Sequence, residues 1–159
     1  MATSCIIGKK ENNIVRCIKC HYDGCLKHVG WLLNDHYEDP KKIDQLLKLG
    51  DLETLEKSNE CCRAYSRDKG EDYKNVKAQD VVFNNLPQYA MHTGANYVYL
   101  YDNEQWKYAK VEIFDEFDEP EVDLYFNSVS NWCWHDNYQK FYNNNSTISL
   151  YDMLTTFAM

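Results

Sequence analysis

The chain has 159 residues, with 17 basic and 25 acidic side chains, a formal net charge of −8 and seven cysteines. This length predicts a single domain that can bury a core. No apolar run reaches the roughly 18 residues of a membrane span, the start lacks a signal-type apolar region, and an odd cysteine count points to reduced thiols, so no membrane and a cytoplasmic setting are expected.

In chain order, "TSCIIG" and "IVRCIKC" read as two strands joined by the polar turn "KKENN". "VGWLLNDHY" places Val29, Leu32, Leu33 and His36 on one helical face. A second helix is bounded by Asp39 as N-cap, Pro40 at its first position and Gly50 as its stop, with Ile43, Leu46 and Leu47 as the buried stripe. "DLETLEKS" predicts a further short turn of helix, and "CCRAYS" a short strand leading into the loop "RDKGED".

"NNLPQYAMHTG" predicts a helix ended by Gly94. "NYVYLYD" and "QWKYAKVEIF" alternate as strands and form a second hairpin turning at Asn103 and Glu104. "VDLYF" reads as one more strand, and "STISLYDMLTTF" as a closing helix with Leu150, Met153, Leu154 and Phe157 on one face. Hairpins with segregated helices predict an α+β fold: an antiparallel sheet of two hairpins packed by two to four helices in a single domain. Residues 1–111 would form its core, and residues 112–159 an acidic linker plus an aromatic extension on the same domain.

The charge is unevenly spread. Residues 1–80 balance 14 basic against 14 acidic side chains, whereas residues 81–159 hold three lysines against eleven acids. Seven acids fall in "EIFDEFDEPEVD": Glu112, Asp115, Glu116, Asp118, Glu119, Glu121 and Asp123. A general phosphate-binding surface needs clustered Lys and Arg, so direct nucleic-acid binding is not expected and a partner with a basic surface is. Thirteen tyrosines, with Trp132, Trp134 and Tyr138 in the tail, suit protein contact.

Two constellations carry possible chemistry. Cys17, Cys20, Cys25 and His28 have zinc-ligand types, but Cys17 and Cys20 point to opposite faces of a regular strand, so no metal site is assigned. The cysteines read instead as small buried apolar residues. His21 and Asp23 follow a strand, as do Arg67, Asp68 and Glu71, and two such loops converging would make an acid–base or phosphate-handling site. Asp-Gly and Arg-Asp-x-Gly-Glu are equally turn-forming sequences held by their own capping bonds and ion pairs. No complete catalytic motif accompanies them, so neither an enzyme nor a cofactor is assigned.

The stretch "IIGKKENNIVRCIKCHYDG…VGWLLNDHYEDPKKIDQLLKLGDLETL", with "AYSRDKGEDYKNVKAQD" and "GANYVYLYDNEQWKY", resembles a family of small phage and prophage proteins. The resemblance spans roughly residues 4–110 and falls on Cys20, His21, Asp23, Gly24, Arg67, Asp68, Gly70 and Glu71. Tyr22 stands where that family carries Trp, and Cys17, Cys25 and His28 match none of its positions. It implies a phage setting and no specific activity. The expectation is an accessory protein that binds a bacterial host or defence protein, an anti-CRISPR-type inhibitor in concrete form. The alternatives are a small enzyme acting on a nucleotide or signalling metabolite, and a zinc-binding module.

Overall fold

A computed structural model describes residues 2–116 and 119–131; the side chains of residues 114–116, 119–121, 123 and 131 are not described. The chain begins with an antiparallel hairpin of β1 (Cys5–Glu11) and β2 (Ile14–Cys20). The strands run deep into the polar stretch expected to be the turn. Asn12 and Asn13 alone make the connection, because Asn12 takes the left-handed conformation, φ 56°, that asparagine tolerates.

Leu26–Gly30 forms one π-helical turn that runs into α1 (Trp31–His36), and α2 (Pro40–Lys48) follows. Asp39 caps α2, its side chain accepting from the Lys41 N–H at 2.9 Å, and Gly50 ends it at φ 78°. The apolar residues of the predicted stripes, Val29, Leu32, Leu33, Ile43, Leu46 and Leu47, are buried, while His36 at the end of the first stripe is half-buried.

The segment read as a further helical turn is instead β3 (Leu52–Thr54), which pairs antiparallel with β4 (Arg63–Ala64) and parallel with the end of β2. Leu52 is buried against the sheet, a tertiary demand that overrides the local helical tendency of "DLETLEKS". Then come α3 (Tyr73–Val76), β5 (Gln79–Val82), which the sequence reading missed, and α4 (Leu86–Thr93), ended by Gly94 at φ 73°.

The second hairpin, β6 (Tyr97–Asp102) and β7 (Gln105–Lys110), turns on Asn103 and Glu104, both with positive φ. The sheet is mixed: β6 lies parallel to β1, so the two antiparallel hairpins are joined through a parallel seam. The order is β10-β7-β6-β1-β2-β3-β4, where β10 is Asn127–Ser128, with β5 on the β2 edge beside Ile14 to Cys17.

Alternation along β1 and β2 divides two cores. Cys5, Ile7, Ile18 and Cys20 face α1 and α2 together with Tyr37, Tyr99 and Trp106. Ile6, Val15 and Cys17 face the opposite layer with Leu86, Ala90 and Val98. Helices and a mixed sheet in one domain agree with the α+β class. The sheet is not the antiparallel one expected, since β1–β6 and β2–β3 pair in parallel, and helices cover both of its faces.

The acidic stretch, expected to be a linker, is a hairpin. β8 (Glu112–Glu116) and β9 (Glu119–Asp123) form a two-stranded sheet of their own. Val122 is buried, while Ile113 lies more than half exposed. Of "VDLYF", only Val122 and Asp123 are in a strand. The expected closing helix over residues 146–157 lies outside the described residues. Among those described, no helix is long and apolar enough to cross a membrane.

Candidate functional site

β2 ends at Cys20, and the chain stays extended beside β3: the His21 N–H donates to the Leu52 carbonyl and the Tyr22 N–H to that of Glu53, each at 3.0 Å. Asp23 then turns the backbone at φ 58°. Gly24 follows because space demands it: a Cβ there would lie 2.9 Å from the Cys5 Cβ and from the Ser4 carbonyl carbon. Its carbonyl accepts the Tyr99 hydroxyl at 2.7 Å. Asp23 and Gly24 therefore form a structural corner, and His21 stays exposed at its rim.

The second loop is closed by main-chain bonds from the N–H of Asp68 to Ala64, Gly70 to Ser66 and Glu71 to Tyr65. Arg67 is folded back onto this loop. Its guanidinium grips both Asp68 oxygens at 3.0 and 2.8 Å and donates to the Asn59 carbonyl at 2.9 Å and to the carbonyls of Glu60 and Cys62. Asp68 also accepts the Ala64 N–H at 2.8 Å. The Arg67 bonds, with that amide, hold the Asp68 carboxyl down at about 2. Arg67 and Asp68 are thus bound to each other and to their own backbone.

The two loops meet at a groove of about 420 Å³, lined among others by Lys19, Cys20, His21, Asp51, Tyr65 and Glu71. Two of the five residues singled out as an acid–base set, His21 and Glu71, share it; Asp23, Arg67 and Asp68 do not line it.

The sequence reading missed Asp51, the buried charge of this groove, 9 % exposed. Gly50 places it: a Cβ at Gly50 would sit 2.5 Å from the Val76 carbonyl oxygen, to which the Asp51 N–H donates at 2.7 Å. The Asp51 carboxylate accepts the Lys19 N–H at 2.9 Å, and the Lys19 ammonium stands 3.7 Å from its other oxygen. Burial raises the Asp51 carboxyl above its ordinary value and nearby Glu71 adds to this, against the opposing pull of Lys19. The available signal was the Gly-Asp step after a helix, which places Asp51 just before the new strand.

The His21 ring lies 4.5 Å from that of Tyr22 and edge-on to Tyr65 at 6.5 Å. The groove thus pairs two carboxylates with aromatic walls and one half-exposed lysine.

A larger depression, about 780 Å³, lies between the first hairpin and α2, α3 and β5. Two of its charge pairs are closed, Lys9 to Asp44 at 3.0 Å and Arg16 to Asp80 at 3.1 Å, and Lys48 and Lys77 leave its lining with one positive charge in excess. The smaller groove has the opposite sign, with Asp51 and Glu71 against Lys19.

The zinc-type residues are divided. Cys17 belongs to one core and Cys20 to the other, as strand alternation requires. Cys25 precedes the π-helical turn and His28 lies within it. Among the described residues no group of three His, Cys, Asp or Glu side chains is placed to hold a metal ion.

Of the acidic and aromatic contact set, Glu112 lies half-buried at the start of β8. Asp115, Glu116, Glu119, Glu121 and Asp123 lie on the β8–β9 ribbon, while Asp118, Trp132, Trp134 and Tyr138 fall outside the described residues.

Fold and site define a small α+β protein with a carboxylate- and aromatic-lined groove at the meeting of two strand-end loops. No family model, curated protein or solved structure matches the chain.

Proposed function

We propose that this is a phage or prophage accessory protein that acts in the bacterial cytoplasm by binding and inhibiting a host or defence protein with a basic surface, as anti-CRISPR-type inhibitors do. The observation that carries this reading is the β8–β9 ribbon. Seven acids lie between residues 112 and 123, and no Lys or Arg occurs between Lys110 and Lys140. Among the described residues the ribbon pairs with itself and not with the main sheet, and exposed Ile113 and Tyr125 add apolar contact area at its base. Concentrated charge of one sign steers a complementary surface into contact, and apolar neighbours hold it there.

The test is capture of the tagged protein's partner from host lysate, beside a variant with the seven acids replaced by lysine. A stoichiometric partner retained by the wild type, released as salt rises and absent from the variant, is expected. Equal capture by both proteins at the same salt defeats the electrostatic reading.

A second reading, an enzyme acting on a nucleotide or signalling metabolite, is favoured by one observation: His21 and Glu71 share the groove with buried Asp51. The internal pairing of Arg67 with Asp68 weighs against it. Turnover of a metabolite panel by the wild type, abolished in His21→Ala, would establish it.

A further inference from the structure

We propose that the groove between the two strand-end loops binds a small organic cation, an alkylammonium or a guanidinium. This inference is separate from the ribbon, since none of the residues that line the groove lies on β8 or β9.

The groove holds the Asp51 and Glu71 carboxylates against the single ammonium of Lys19. Lys19 stands 3.7 Å from Asp51, beyond hydrogen-bond length, with its side chain half exposed. Glu71 makes no salt bridge among the described residues. The Glu71 carboxylate, exposed at the edge of the groove, is therefore left without a counter-charge among the described residues.

The walls add the second element. His21 and Tyr65 line the same groove, and Tyr22 packs against His21. Aromatic faces attract ammonium and guanidinium groups. The Tyr65 ring already has one such neighbour: the Lys69 ammonium lies 5.4 Å from its centroid while paired with Glu53.

Anchoring is the third element. Asp51 is fixed by the Lys19 main-chain N–H and by its own bond to Val76, so the carboxylate is held in place before any ligand arrives. Preorganised acceptors bind without a further ordering cost. The volume, about 420 Å³, lies within the usual range for small-molecule sites and admits a chain the size of a diamine.

The test is calorimetric titration of the full-length protein with agmatine, with spermidine and with arginine blocked as acetyl and amide, alongside inorganic phosphate. A single saturable site for at least one of the cations is expected, with no binding of phosphate. Glu71→Gln, an exposed position, should weaken it about tenfold, the effect of losing a charge-assisted contact. Asp51→Asn, which keeps the acceptor for the Lys19 N–H, should weaken it similarly with an unchanged circular-dichroism spectrum. Preference for agmatine or spermidine assigns the site to a free metabolite, and equal binding of blocked arginine assigns it to a partner's side chain. Binding that Glu71→Gln leaves unchanged reports the acidic ribbon instead and overturns the proposal, as does the absence of saturable binding up to about 10 mM.

Discussion

Tyr99 in β6 donates its hydroxyl to the Gly24 carbonyl at 2.7 Å, tying the second hairpin to the corner that follows the first. The bond crosses 75 positions of sequence and lies in the buried core beneath Cys5 and Cys20. It fixes the loop that carries His21 at its position on the rim of the groove.

Tyr99→Phe leaves that carbonyl without its donor in a dry setting. A loss of about 1–3 kcal/mol in urea-denaturation stability is expected. Gly24→Ala adds a Cβ against Ser4 and Cys5 and should cost a similar amount through overpacking, about 1–3 kcal/mol. An unchanged midpoint for both variants would remove the corner from the structural account.

Arg67→Ala should change the titration of Asp68. Its carboxyl is held at about 2 by the Arg67 guanidinium first and the Ala64 amide second. Without Arg67 the midpoint should climb toward roughly 3.9, the ordinary aspartate value, read by carboxyl NMR against pH. The stabilisation linked to this group is present above the unfolded value and is lost as pH falls from about 4 toward about 2.

Asp51 has the opposite sign. Its folded carboxyl is raised by burial, so the folded state holds the proton more tightly than the unfolded chain. Its contribution is fully present below the unfolded value and declines as pH rises through the folded one. Stability of the wild type relative to Asp51→Asn should therefore fall across that interval. A difference that is flat with pH would show that Asp51 titrates as an ordinary carboxylate.

The thiols should divide by exposure. Burial pushes the Cys17 thiol up to about 12 and raises Cys5 and Cys62. Cys61 is exposed and Cys25 half-buried. Among the described cysteines, brief iodoacetamide treatment of the native protein, with peptide mass spectrometry, should label Cys61 first and Cys25 next. Cys5, Cys17, Cys20 and Cys62 should react only after denaturant is added, because burial keeps the reagent from their sulfurs. Early labelling of Cys20 would mean that the groove floor opens.

Local signals were enough for much of the fold. Asp39, Pro40 and Gly50 bounded α2 because caps act within one turn, and Gly94 ended α4 for the same reason. The separation of Cys17 from Cys20 followed from strand alternation alone. The sequence also determined, through residue types and spacing, which two loops carry polar chemistry. Tertiary structure decided what those loops do. Whether Arg67 points into a site or back onto Asn59, Glu60 and Cys62 depends on where the chain places those carbonyls, and no pattern in "SRDKGE" encodes that. The parallel seam of β1 and β6 joins segments some ninety residues apart, and the choice of β3 over a helical turn rests on the open edge of β2 beside Leu52. Asp51 acquired its buried position from that same pairing, because the register between Cys20 and Leu52 sets the preceding residue beneath the Lys19 amide, a long-range contact that local sequence does not specify.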